Sequence, residues 1–225
     1  MLTTPISQDV PAPSRRALDP VDRVAEVLFG LIMVLTFTGS LSVAEAGRDD
    51  VRAMLIGALG CNLAWGIIDA ILYLMGCLAE RSRRLMTFRA VRAADSPERA
   101  RALLADALPP DIAAIVEPAE LEGIRTRLAR LPAPPAHARM TRDDWRGAAA
   151  VFLLVFLSTF PVVIPFIVMR NAMPAMRVSN AIAVAMLFAT GYTYGRLTGY
   201  RPVGMGISMV VLGTVLVGVT MALGG

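Results

Sequence analysis

Five long runs almost free of charge decide what this chain can fold into. They are Val27–Ala44, Ala53–Leu78 (broken only by Asp69), Gly147–Met169, Val178–Gly195 and Pro202–Gly225. Each reaches about 18 residues, the length at which an apolar stretch reads as a membrane span. Hydrocarbon offers no partners to backbone N–H and C=O groups, so spanning segments of this length are helices. The expected fold is all-α: a polytopic membrane protein with five transmembrane helices and a small helical cytoplasmic insert. Composition agrees, with 56% hydrophobic residues against roughly 45–50% in soluble domains. Helices buried in a soluble protein seldom lack charge so completely.

All 22 basic residues are Arg and none is Lys, which with the many Ala residues suggests a GC-rich bacterial genome. The net charge of +4 is no nucleic-acid signal, because the Arg residues cluster. Thirteen lie between Arg81 and Arg146, and three (Arg15, Arg16, Arg23) precede the first run. Basic residues favour the cytoplasmic side. The expected topology is therefore multi-pass in a bacterial inner membrane, with the N-terminus and the long loop in the cytoplasm. Ala44-Glu45-Ala46 resembles a leader cleavage site. The run before it is longer than a signal-peptide core, so cleavage is not expected.

Four segments follow: a disordered tail over 1–20, spans one and two over 21–80, the insert over 81–146, and spans three to five over 147–225. Asp19-Pro20-Val21-Asp22 is a helix start leading into span one, and Asp49-Asp50 reads as a tight external turn. In the insert, Leu85–Ala94 continues span two as a basic helix. Ser96-Pro97-Glu98 provides an N-cap, a Pro at N1 and a first-turn acid. Leu103, Leu104, Ala107 and Leu108 form that helix's apolar face, and Pro109-Pro110 ends it. A short helix is expected over Asp111–Val116. Another starts near Pro118, with Leu121, Ile124, Leu128 and Leu131 at helical spacing. Pro132–Ala138 is a stiff linker, Thr141 with Asp144 resembles a capping box, and Trp145 sits where aromatic belts occur. Pro161 and Pro165 interrupt the third span, freeing carbonyls that need protein or water partners. Ala181, Ala185, Ala189 and Thr193 form a small-residue stripe that lets helices approach, within one subunit or between two.

Asp69 is the candidate functional residue. A carboxylate near a bilayer centre costs about 2.5–3.5 kcal/mol on insertion scales and reads by default as functional. Asn62 lies two turns away on the same face, with Trp65, Tyr73 and Gly76 near that stripe. Oxygen-bearing side chains in this arrangement suit a cation, or a proton that exchanges against one. The structural alternative is a polar pair bonded to Thr36, Thr38, Ser40 or Ser42. Glu26, with Asp22 one turn earlier, makes an acidic edge at the cytoplasmic end of span one, either a cation entry or an ordinary acidic helix start. Met75 and other methionines near membrane ends suit soft metals but are also common fillers. Cys61 and Cys77, about 24 Å apart on one helix, cannot bridge, and His137 stands alone in the linker. No cofactor site, phosphate loop or Ser/His/Asp set appears, so an enzyme is not expected.

Phe156-Leu-Ser-Thr-Phe-Pro-Val-Val-Ile-Pro-Phe166 resembles the third span of the vacuolar iron transporter (VIT) family. Gly195-Arg-Leu-Thr-Gly-Tyr-Arg-Pro202, followed by Gly204 and Gly206, looks like that family's junction between spans four and five. The resemblance implies a homodimeric exporter of Fe²⁺ or Mn²⁺, driven by proton exchange, with the metal as substrate. It also implies an Asp-Gly pair in span one, where this chain has Phe29-Gly30, and a Glu and a Met in span two, where it has Asp69 and Met75. The family's insert is rich in Glu and Met. This one holds Glu98, Glu117, Glu120 and Glu122, with Met86 and Met140, among its thirteen Arg. Such a basic surface suits an anionic lipid or a protein partner better than metal capture. A transport-inactive scaffold is therefore the alternative reading.

Overall fold

The computed structural model describes residues 18–39 and 48–222, without the side chains of 36–39, 48–50, 220 and 221. Most of the expected N-terminal tail falls outside this range. So do the end of the first apolar run and the hydroxyls of Thr36, Thr38, Ser40 and Ser42.

Helices are the regular elements of the described residues. The helices are α1 (Pro20–Gly39), α2 (Arg48–Ala93), α3 (Pro97–Asp106), α4 (Pro110–Ala113), α5 (Pro118–Arg130), α6 (Arg142–Leu157), α7 (Phe160–Val168), α8 (Ala172–Thr198) and α9 (Pro202–Ala222). Four stretches among the described residues are long and apolar enough to cross a membrane: Val51–Ala93, Arg142–Val168, Ala172–Thr198 and Pro202–Val219. The protein is thus multi-pass, with four of the five expected spans. The remaining run, Val27–Ala44, is described only through α1. Asp49 and Asp50 do not form the expected turn but lie in the first turn of α2, where exposed N–H groups favour acids.

The chain divides into two compact units, one built from residues up to Tyr73 and from Arg142 onward, the other from Leu74–Thr141. In the first, α1 packs against α6, α8 and α9. Its Leu31, Val34 and Leu35 close a core with Val162 and Val163 of α7 and Ala183 and Leu187 of α8. Helices in lipid gain little from apolar burial, so close packing has to hold them. Gly30 shows how: a methyl group there would lie 2.1 Å from Ser158 Oγ and 2.5 Å from the Val155 carbonyl oxygen. The α8–α9 pair is equally tight, since a Cβ on Gly191 would meet the Met205 carbonyl at 2.6 Å. Gly199, at φ 78°, caps α8 in the left-handed region, and only Gly199–Arg201 separate the two helices. The Ala181–Ala185–Ala189 stripe is exposed, and its first two members line an apolar groove of about 700 Å³ with α9.

The third span breaks at Ser158–Thr159, between α6 and α7. Ser158 Oγ donates to the Val155 carbonyl at 2.8 Å and Thr159 Oγ1 to the Phe156 carbonyl at 2.8 Å. Pro161 brings no N–H to the Leu157 carbonyl. Beyond the break, Ser179 Oγ of α8 donates to the Val162 carbonyl at 2.7 Å, pinning α7 to α8.

The second unit holds the charged end of α2 together with α3, α4 and α5. Ser96 Oγ accepts from the Arg99 amide at 3.2 Å, and Pro97 opens α3. A capping box between Glu117 and Glu120 starts α5. Val91, Ala100, Leu104 and Leu121 form its small core. Ala107, Ile124 and Leu131, expected on apolar faces, are instead exposed, because so small a core closes over only one row of each helix.

Candidate functional site

Two carboxyls from different helices meet in the first unit. Glu26 of α1 and Asp69 of α2 come within hydrogen-bonding reach of each other, both half-buried. Asp22, exposed one turn before Glu26, adds its charge to the same end of α1. Three residues after Glu26, Phe29 meets Trp65 edge-on, with ring centroids 5.7 Å apart at 73°. The acid of α1 is therefore one helical turn before Phe29-Gly30, and the Phe29–Trp65 contact lies beside the pair.

α6 backs this arrangement. A Cβ on Gly66 would stand 3.0 Å from the Phe152 ring, and one on Gly147 would fall 2.2 Å from the Tyr73 hydroxyl. Asn62, two turns from Asp69, is 1% exposed, and neither its Nδ2 nor its Oδ1 has a hydrogen-bond partner among the described residues. Met75 is 59% exposed and presents its thioether outward from α2. Of the sequence candidates, then, Glu26 and Asp69 come together, Asp22 stays exposed one turn away on α1, Asn62 lies farther along α2, and Met75 faces out. Among the described residues no three or more His, Cys, Asp or Glu side chains gather as a metal-holding group. Two facing carboxyls suit a hard cation or a shared proton, and do not make a closed metal cage.

The insert spends its charges differently. Three arginines of α2 hold the Pro-rich linker. Arg92 Nη1 donates to the Leu131 and Pro132 carbonyls at 3.0 and 3.2 Å. Arg89 Nη2 donates to the Pro135 carbonyl, and to that of Ala136 at 2.6 Å. Arg81 Nη1 donates to the Arg139 carbonyl at 2.8 Å. Others pair with acids: Arg83 and Arg84 with Glu80, Arg101 with Glu98 and Glu122, and Arg125 with Glu122. The Arg125 guanidinium holds the Glu122 carboxyl below the ordinary carboxylate range. Sequence reasoning missed this strap. Its one available signal was the spacing of Arg81, Arg89 and Arg92 along one side of a helix facing a segment rich in Pro, whose carbonyls lack helical partners.

No individual curated protein matches the chain. A family model described as the VIT family matches residues 94–225. That match takes in most of the insert and the last three spans, more than half of the sequence; the chain belongs to the VIT family.

Proposed function

We propose that this protein moves divalent metal ions, Fe²⁺ or Mn²⁺, across a bacterial inner membrane in exchange for protons. It works as a homodimer with its N-terminus in the cytoplasm. Family membership points to membrane metal-ion transport. The observation that carries the finer reading is the Glu26–Asp69 pair. Two carboxyls facing each other in a membrane bundle hold one proton between them, or release it and present two oxygens to a cation. A site that alternates between those states exchanges protons for metal. Glu26 takes the part of the acid missing at Phe29. Asp22 draws cations toward the pair, and Met75 is a soft ligand on the way in or out. The exposed Ala181–Ala185–Ala189 stripe suits a second copy, and the Arg-rich 81–146 segment supports the orientation.

The test is flux into liposomes holding a metal-quenched dye, with and without a pH gradient. Asp69→Asn is expected to remove metal flux at least tenfold while folding normally. Full flux in that variant sinks the assignment.

One observation favours a second reading. The carboxyl pair lies outside residues 94–225, where the family match falls. A relative that keeps the family's later spans but has lost transport would act as a scaffold, binding a partner or anionic lipid through its insert. Absence of flux for several metals in folded wild-type protein, with lipid binding lost on charge reversal over 81–101, would favour it.

A further inference from the structure

Four buried hydroxyls of the membrane unit are satisfied within the chain: Ser158, Thr159, Ser179 and Thr190 each donate to a backbone carbonyl. Asn62 is different. Its amide is sealed at 1% exposure, and both ends are unpartnered among the described residues. A buried amide left unsatisfied costs about 1–3 kcal/mol by mutational measures, and more in pure hydrocarbon. Such a group calls for a ligand.

Helix register locates it. The Glu26·Asp69 and Phe29·Trp65 contacts run antiparallel, which carried onward puts Asn62 level with Ile32 and Met33 of α1. The Gly147·Tyr73 and Phe152·Gly66 approaches put it level with Phe156 and Leu157 of α6. That is where α6 gives way to α7 and Pro161 leaves the Leu157 carbonyl without its helical donor. Irregular backbone at membrane depth is tolerated where it lines water or protein.

The chemistry of the amide selects the ligand. A bare cation would satisfy Oδ1 and leave Nδ2 without an acceptor, and an anion would do the reverse. Water accepts and donates, and meets both ends. We propose that Asn62 seats a buried water at the level of the α6–α7 break. This water extends the polar track of the Glu26–Asp69 pair by two helical turns, about 10.5 Å. The water stands on the geometry of Asn62; its place in a proton track rests on the transport reading.

X-ray hydroxyl-radical labelling with mass spectrometry reads bound water directly, using Met33 and Cys61 as reporters and outward-facing Met75 as reference. In wild-type protein Met33 and Cys61 are expected to oxidise at dose-dependent rates, and Asn62→Leu is expected to slow them at least fivefold with Met75 unchanged. Equal rates in the two proteins overturn the water site. If Asn62→Leu fails to fold, wild-type protein alone decides: no dose-dependent label at either reporter overturns the proposal. Proton-coupled flux then separates the two claims. Asn62→Leu is expected to lower it at least tenfold; label lost with flux retained overturns the track. Flux retained in Asp69→Asn defeats the transport reading and leaves the water site standing.

Discussion

The membrane unit and the insert treat polar groups in opposite ways. In the insert, named charges find partners: Arg81, Arg89 and Arg92 take linker carbonyls, and Glu80, Glu98 and Glu122 take guanidinium groups. In the membrane unit, Glu26 and Asp69 face each other as two acids, and the buried Asn62 amide has no hydrogen-bond partner among the described residues. Arginine pairing near water costs little and stabilises modestly. An acid pair and an orphan amide among apolar helices work against stability. The contrast teaches where to look for function: the satisfied network is architecture, and the unsatisfied one is the part with a task beyond folding.

The sharpest way to break this contrast is Glu26→Gln. If the pair carries transport, metal flux falls at least tenfold, and melting of the purified protein stays level or rises because one of two facing half-buried acids is gone. A lower melting temperature with flux intact would make Glu26 architectural. Gly30→Val comes next. The added carbons collide with Ser158 Oγ and the Val155 backbone, and overpacking of this kind costs about 1–3 kcal/mol. Thermal unfolding followed by thiol-reactive dye at Cys61 and Cys77 is expected to shift down by several degrees; an unchanged curve would show that α1 moves away freely.

A smaller effect is expected from Arg89→Ala with Arg92→Ala. Exposed charged hydrogen bonds contribute about 1 kcal/mol together, so unfolding changes little. Amide exchange and protease cleavage across 131–139 should rise several-fold, and unchanged protection would mean that the prolines alone hold the linker. The smallest concerns Glu122. Its folded carboxyl titrates below the ordinary range because Arg125 is bonded to it. That contribution is fully present above the ordinary carboxylate range and fades as pH falls through the lowered value. Amide protection of α5 in the full chain is expected to weaken in acid, and Glu122→Gln to flatten the dependence.

Much of this was legible beforehand. The extension of α2, the Ser96 cap and the Pro118 start are written in local residue chemistry, and four apolar runs became helices long and apolar enough to cross a membrane. Pro161 announced a disturbed third span, though not that Ser158 and Thr159 would take over the carbonyls before it. Glu26 and Asp69 were each visible, but their meeting was not, because the α1–α2 register is set by packing between helices 43 residues apart in the chain. Asn62 was legible as a polar residue on the Asp69 stripe, yet its isolation is a property of what surrounds it. The arginine strap joins residues 39 to 58 positions apart, a distance over which periodicity is silent.

The three-residue link at Gly199–Arg201 bears on how the protein is made. With so short a tether, α8 and α9 cannot take independent orientations during synthesis. Whichever way α8 enters the bilayer, α9 must return, and the glycine faces at Gly191 and Gly206 let the two zip together as one folded hairpin. A ribosome making this chain hands over α8 and α9 as a single package, and the side on which α9 finishes is inherited from α8.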